Sequence, residues 1–195
     1  MVAKDHAATG LLAGGRGPGA TGQAAFARCV TPAARAAAAL AAASLALVPF
    51  ASAPASAASN KVRITKLTDV AFGSIANLSQ DAVRSQSVCL FADTATNGYD
   101  ITATGTGPGG AFELTSGAGA LGYQVQWSSS AGQTSGAQLA PNVPLTGQVA
   151  SATQQTCGTG PATSASLIVV LPATALSSAM AGTYNGTLTL VVGPE

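Results

Sequence analysis

Residues 120–128 read Ala120-Leu121-Gly122-Tyr123-Gln124-Val125-Gln126-Trp127-Ser128, with Leu121, Tyr123, Val125 and Trp127 set against Gly122, Gln124, Gln126 and Ser128. A period of two places alternate side chains on opposite faces of an extended chain, so this segment predicts a strand with one buried and one wet face. The wet face carries glutamines rather than charges. The same period recurs outward in both directions. Upstream, Val62 and Ile64 alternate with Arg63 and Thr65, and Val70 and Phe72 follow and close at Gly73. Gln86–Phe91 (QSVCLF) is an apolar run fit for a strand buried on both sides. Tyr99, Ile101 and Ala103 alternate with Asp100, Thr102 and Thr104, and Phe112 and Leu114 with Glu113 and Thr115. Downstream come a weaker strand at Leu145–Val149, a fully buried one at Ser166–Leu171 (SLIVVL), and a last one over Thr183–Val192. Only Pro172–Gly182, with Leu176 and Met180, fits a short helical turn. Seven or eight short strands at this spacing predict an all-β, immunoglobulin-like sandwich, with a closed barrel as the alternative.

The first third of the chain has a different character. Ala36–Phe50 (AAAALAAASLALVPF) is an uncharged apolar run directly behind Arg35, and Ala55-Ser56-Ala57 offers the small residues at which a signal peptidase cuts. This pattern predicts a secretory signal peptide over residues 1–57, with an overlong n-region or a start codon placed too early, and a single domain over residues 58–195. The apolar run falls short of the roughly 20 residues that span a bilayer. Cys29 precedes that run and lacks a lipoprotein box, so no membrane anchor is expected after processing. The mature part keeps Lys61, Arg63, Lys66 and Arg84 against Asp69, Asp81, Asp93, Asp100, Glu113 and Glu195, a net charge of −2. Such a chain has no basic patch for nucleic acid or an anionic membrane.

Several chemistries are missing. His6, the only histidine, lies ahead of the predicted cleavage site. The mature part therefore lacks the imidazole of hydrolytic triads and of most metal sites. Cys89 and Cys157 are the two cysteines left after processing, and an even count in an exported domain reads as a disulfide, the alternative being two unpaired buried thiols. Asp93 and Asp100 could pair as carboxylates, or hold calcium together with Asn97, but they flank Thr94-Ala95-Thr96-Asn97-Gly98, where such residues serve a turn. Gly105–Gly110 reads as a hairpin loop rather than a phosphate cradle, because no helix follows it. Trp127 and the tyrosines suit a sugar-stacking platform, yet Trp127 shares a face with Leu121, Tyr123 and Val125, which favours the core. Asn77-Leu78-Ser79 and Asn185-Gly186-Thr187 fit glycosylation sequons that carry little information. No enzyme, metal or cofactor is expected.

Five motifs carry a resemblance: Asp69-Val70-Ala71-Phe72-Gly73, Ser87-Val88-Cys89-Leu90-Phe91, Gly98-Tyr99-Asp100-Ile101-Thr102, Ala120–Trp127, and Ala181-Gly182-Thr183-Tyr184-Asn185-Gly186-Thr187-Leu188-Thr189-Leu190. Together they resemble the spore coat protein U-like family and related pilin-type subunits of chaperone–usher pili. The resemblance implies an immunoglobulin-like fold lacking its last strand, completed by a segment of a neighbouring chain. It also implies other pilin-type subunits and a periplasmic chaperone and usher as partners, with passage through the periplasm to the cell surface or medium. The last strand, with only Gly193-Pro194-Glu195 beyond it, leads to the same expectation. Ahead of the first strand stand only Ala58-Ser59-Asn60-Lys61, so either Val62 and Ile64 are donor positions or the subunit receives a strand without giving one. A self-sufficient secreted domain that binds glycan or protein is the competing expectation. N-terminal sequencing of exported material should find a start near Ala58; a product beginning at Met1 would refute the export reading.

Overall fold

A computed structural model describes residues 2–7, 59–117 and 119–195, with side chains from Ser59 onward. Its strands are β1 (Val2–Ala7), β2 (Lys61–Thr65), β3 (Ala82–Asp93), β4 (Gly98–Thr104), β5 (Glu113–Ser116), β6 (Gly119–Gly122), β7 (Gln124–Ser128), β8 (Ala137–Gln138), β9 (Leu145–Val149), β10 (Ala165–Leu171) and β11 (Thr187–Pro194). One helix, α1 (Ala173–Ser178), joins β10 to β11. The chain is an all-β sandwich. One sheet has the order β2-β3-β10-β7-β8 and the other β1-β11-β4-β9, with β5 and β6 as a separate small hairpin. Every pairing is antiparallel except β1 on β11. An immunoglobulin domain sets strands A, B, E and D in one sheet and C, F and G in the other. Here β2, β3, β10 and β7 take the first four places, β4 and β11 take C and F, and β1 occupies the place of G.

Alternation decides the core. In β11 the pattern puts Leu188, Leu190 and Val192 inside, and in β4 Tyr99, Ile101 and Ala103. β10 is buried along its whole length, as its unbroken apolar sequence requires of a central strand. Trp127 on β7 is buried and donates its indole N–H to the Tyr99 hydroxyl on β4 at 2.9 Å, a polar tie between the two sheets. Burial pushes the Tyr99 phenol up to about 12, against the opposing effect of that bond. Trp127 is thus a core residue rather than a stacking platform. Tyr123 is also buried, with its phenol pushed up to about 12 by burial, and its ring stacks on Phe112 at 5.6 Å.

The turn between the sheets is held by Tyr184, whose hydroxyl donates to the Met180 carbonyl at 2.9 Å. That is the geometry of the tyrosine corner that precedes strand F in immunoglobulin-like domains. Helix α1 has Pro172 at its N-cap and therefore no capping side chain of its own. The Asp81 carboxylate supplies the acceptor instead, taking the Ala173 N–H at 2.8 Å where a negative charge also suits the helix dipole.

Four expectations need correction. Val70 and Phe72 form no strand; with Leu67 and Ile75 they lie half-buried against the core in an irregular segment. The alternation over 121–127 runs through two strands, because Tyr123 turns its N–H to the Phe112 carbonyl at 2.9 Å and divides β6 from β7. Gly105–Gly110 is not a hairpin loop, since β4 and β5 belong to different sheets. It folds on itself instead, with Gly105 N–H on the Gly110 carbonyl at 2.8 Å and a 3-10 turn at Pro108–Gly110. The last strand begins at Thr187 rather than Thr183, because Gly186 passes so close beneath β5 that a Cβ there would lie 2.8 Å from the Leu114 side chain.

The two buried phenols make a paired test. Tyr99→Phe strands the Trp127 N–H and should cost about 1–3 kcal/mol in denaturant unfolding. Among the described residues the Tyr123 hydroxyl has no hydrogen-bond partner, so Tyr123→Phe should be neutral or stabilising. Equal losses in both variants would contradict this reading of the core.

Candidate functional site

Two sheets expose outer strands, and their chemistry separates them. β8 has only two residues. β9 is interrupted by a register shift opposite Tyr99 and Ile101 and carries Gly147 at φ 70, whose N–H is taken by the Glu195 carboxylate at 2.7 Å. β2 is five residues long and exposes Lys61 and Arg63. Short length, bulges and charge all discourage edge-to-edge pairing. β11 has none of these devices. It reads TLTLVVGP, is eight residues long and carries no charged side chain.

The unprotected edge is covered by β1. The register runs in parallel from Val2 against Thr187 to Ala7 against Val192, while the other edge of β11 pairs antiparallel with β4, from Thr189 against Thr104 to Pro194 against Tyr99. β1 also lies against β2, at the edge of the opposite sheet. It therefore spans the open side of the sandwich, above a core in which Leu188, Leu190 and Val192 join Ile64 of β2 and Val88 and Leu90 of β3. The expectation of a first strand at Lys61–Thr65 did not include one at Val2–Ala7. The segment VAKDHA contains Lys4, Asp5 and His6 in succession, so apolar alternation gives no signal there.

The sequence-derived site residues fall elsewhere. Cys89, in β3, is bonded to Cys157, which precedes β10 and sits at φ 47. Beside it Ser164 extends the ladder between the two strands: its hydroxyl accepts the Leu90 N–H and donates to the Leu90 carbonyl, both at 2.8 Å, and its N–H donates to the Val88 carbonyl. Asp93 accepts a hydrogen bond from the Ser59 hydroxyl. Asp100 has a different neighbour; burial, and then the Glu195 charge, hold its carboxyl above the usual range. Asn97 adopts φ 55 in the tight link between β3 and β4, where its N–H donates to the Thr94 carbonyl. Among the described residues no group of three or more His, Cys, Asp or Glu side chains gathers at one place. A surface depression of about 370 Å³, lined by Leu78, Ser79, Ala173, Thr174 and Ser177, offers no ionisable group. Of the sequon residues, Asn77 accepts the Ser79 N–H and Asn185 bonds to Thr115 through both its backbone groups. The apolar run at 36–50 and the cleavage site at 55–57 lie outside the described residues, as does Cys29.

No family model matches the chain, and no curated protein does. The motifs that resemble the spore coat protein U-like family therefore stand as a resemblance. Among solved structures, the chain is similar to one from a chaperone–tip adhesin complex described as vital for synergistic activation of CFA/I fimbriae biogenesis, with 15% sequence identity and a TM-score of 0.44. The match covers 69% of this chain and 41% of that one, so this chain spans well under half of the other's length.

The disulfide closes a sequence separation of 68 residues. On loop-entropy grounds, Cys89→Ser with Cys157→Ser should lower unfolding stability by about 4 kcal/mol. A denaturant midpoint unmoved by the double substitution would contradict a structural role for the bond.

Proposed function

We propose that the protein is an exported structural subunit of a surface appendage or coat, and that the β11 edge is where a strand from another chain adds. The observation that carries this reading is the cover on β11. The one long, uncharged edge of the sandwich is paired with a segment that lies upstream of the predicted cleavage site. Removal of residues 1–57 on export takes that segment away. The mature domain is then left with β4 and β11 in the places of strands C and F and an empty place for G.

An edge of that kind exposes unpaired N–H and C=O groups beside apolar side chains, and an added strand satisfies both at once. Hydrogen bonds to the β11 backbone give affinity, and apolar side chains at alternate positions of the donor fill the side of the sandwich. In this reading pilin-type neighbours donate the strand in the assembled appendage, and a periplasmic chaperone and usher handle the subunit before assembly. Val62 and Ile64 already serve as β2, with Ile64 in the core, so they are poor candidates for donation to a neighbour. The subunit is an acceptor first.

The buried aromatics weigh against the competing reading of a self-sufficient glycan-binding domain, since Trp127, Tyr99 and Tyr123 are all interior. The experiment is to produce residues 58–195 in the periplasm alone and with a short synthetic peptide of alternating Val and Thr. Peptide addition should raise the melting temperature by about 3–4 °C per kcal/mol gained and suppress multimers. A domain that is already a stable monomer, and that no such peptide alters, would refute the acceptor role.

A further inference from the structure

We infer that residues 66–73 are a guard strap, latched by the side chains of Gln86 and Arg84, which keeps a second strand-pairing edge, on β3, closed to other chains. This does not depend on the reading of β11.

The edge follows from the ladder. The Val125 carbonyl takes the Leu139 N–H, so Val125 faces β8 while its neighbours Gln124 and Gln126 face β10. Backbone groups point alternately to one side and the other along an antiparallel strand. Ile168 and Val170 therefore turn toward β7, and Leu167 and Val169, opposite Gln86 and Arg84, turn toward β3. That leaves Val83, Ser85 and Ser87 with their N–H and C=O groups on the far edge of β3. β2 covers this edge only from Cys89 to Asp93.

Beyond Thr65 the chain leaves the ladder at Lys66, which has φ 66, yet it goes on running antiparallel beside β3. Side chains replace the ladder there. The Gln86 amide oxygen accepts the Thr68 N–H at 3.0 Å and the Thr68 hydroxyl at 2.9 Å, and its amide nitrogen donates to the Thr68 carbonyl at 3.0 Å. The pairing of Thr65 with Cys89, continued along both strands, puts Thr68 opposite Gln86, so this amide stands where a ladder bond would. Arg84 donates to the Phe72 carbonyl at 3.3 Å and to the Val83 carbonyl at 3.0 Å, with its guanidinium 5.7 Å from the centre of the Phe72 ring. Among the described residues, none from 66 to 73 makes a backbone–backbone hydrogen bond. Leu67, Val70 and Phe72 pack half-buried against the core. A segment held by two side chains and a few half-buried contacts opens at a lower free energy than a strand in a ladder. Opening bares the backbone of Val83, Ser85 and Ser87 beside the apolar seats of Val70 and Phe72, and an uncovered edge of that kind pairs with another chain.

The test uses the exported protein with its disulfide formed. Chymotrypsin under native conditions reads the strap at Phe72 and the core at Tyr99, because cleavage follows the population of the opened form. The double variant Arg84→Met/Gln86→Leu keeps the apolar stems and removes the bonds. Cleavage after Phe72 should rise about tenfold or more in it, while cleavage after Tyr99 stays unchanged. Thr68→Val removes one of the three bonds to Gln86 and should give a smaller rise, again confined to Phe72. The double variant should also self-associate more than the wild type in sedimentation, through β3 of a second copy. Ser85→Pro, added to it, removes an outward amide without touching the β10 ladder, and should abolish that gain while cleavage after Phe72 stays fast. Unchanged cleavage after Phe72, or an equal rise after Tyr99, overturns the latch. Fast cleavage with no added association, or association that Ser85→Pro does not reduce, overturns the guard role.

Discussion

Backbone hydrogen bonding along β11 is the constraint on which the rest of the structure depends. A strand whose alternate side chains point into the core cannot tilt away from the sheet, so both of its edges keep a fixed row of donors and acceptors. β4 satisfies one row. The other faces the open side of the sandwich, where Leu188, Leu190 and Val192 lie just inside. Charge, shortness or a bulge would make such an edge safe, and β11 has none of them. A covering strand is the remaining solution, and β1 supplies one within the chain. The proposed need for a partner strand and the proposed effect of processing both rest on that single row.

The rest of the domain is tied so that this side can stay open. The disulfide and the Ser164 clasp fix β3 to the approach of β10, the Trp127–Tyr99 bond joins the two sheets through the core, and the Tyr184 corner sets the angle at which the chain enters β11. None of these ties is made by a residue of β1. A small domain has a margin of about 5–15 kcal/mol, so a disulfide contributing about 4 kcal/mol is a large share of it. That contribution is independent of whether the edge is filled.

Much of the frame was legible in the sequence, because burial imposes a period and the period survives in the residues. The alternation at Leu121, Tyr123, Val125 and Trp127 marks four core positions correctly, and the unbroken run at Leu167–Leu171 marks the central strand. Hydrogen-bond partners leave no such trace. Tyr123 keeps the side-chain period while its N–H extends the β5–β6 ladder to Phe112 instead of joining the sheet of β7, so one apparent strand is two. Val70 and Phe72 are half-buried without a ladder, which alternation cannot distinguish from a strand. The tyrosine corner was visible only as a Tyr ahead of an apolar run. β1 was illegible for a related reason: its pairing is a backbone matter, and three consecutive ionisable residues erase the pattern that would have revealed it.

The most direct test of the acceptor edge is site-specific photo-cross-linking in cells that export and assemble the protein. A photoreactive residue at Thr187, Thr189 or Val191 of β11, positions that are only partly buried, reports whichever chain lies along the edge after processing. The account predicts cross-links from these positions to a second polypeptide, with none from equivalent positions on β8. Mature protein that cross-links only within itself at all three positions would contradict it.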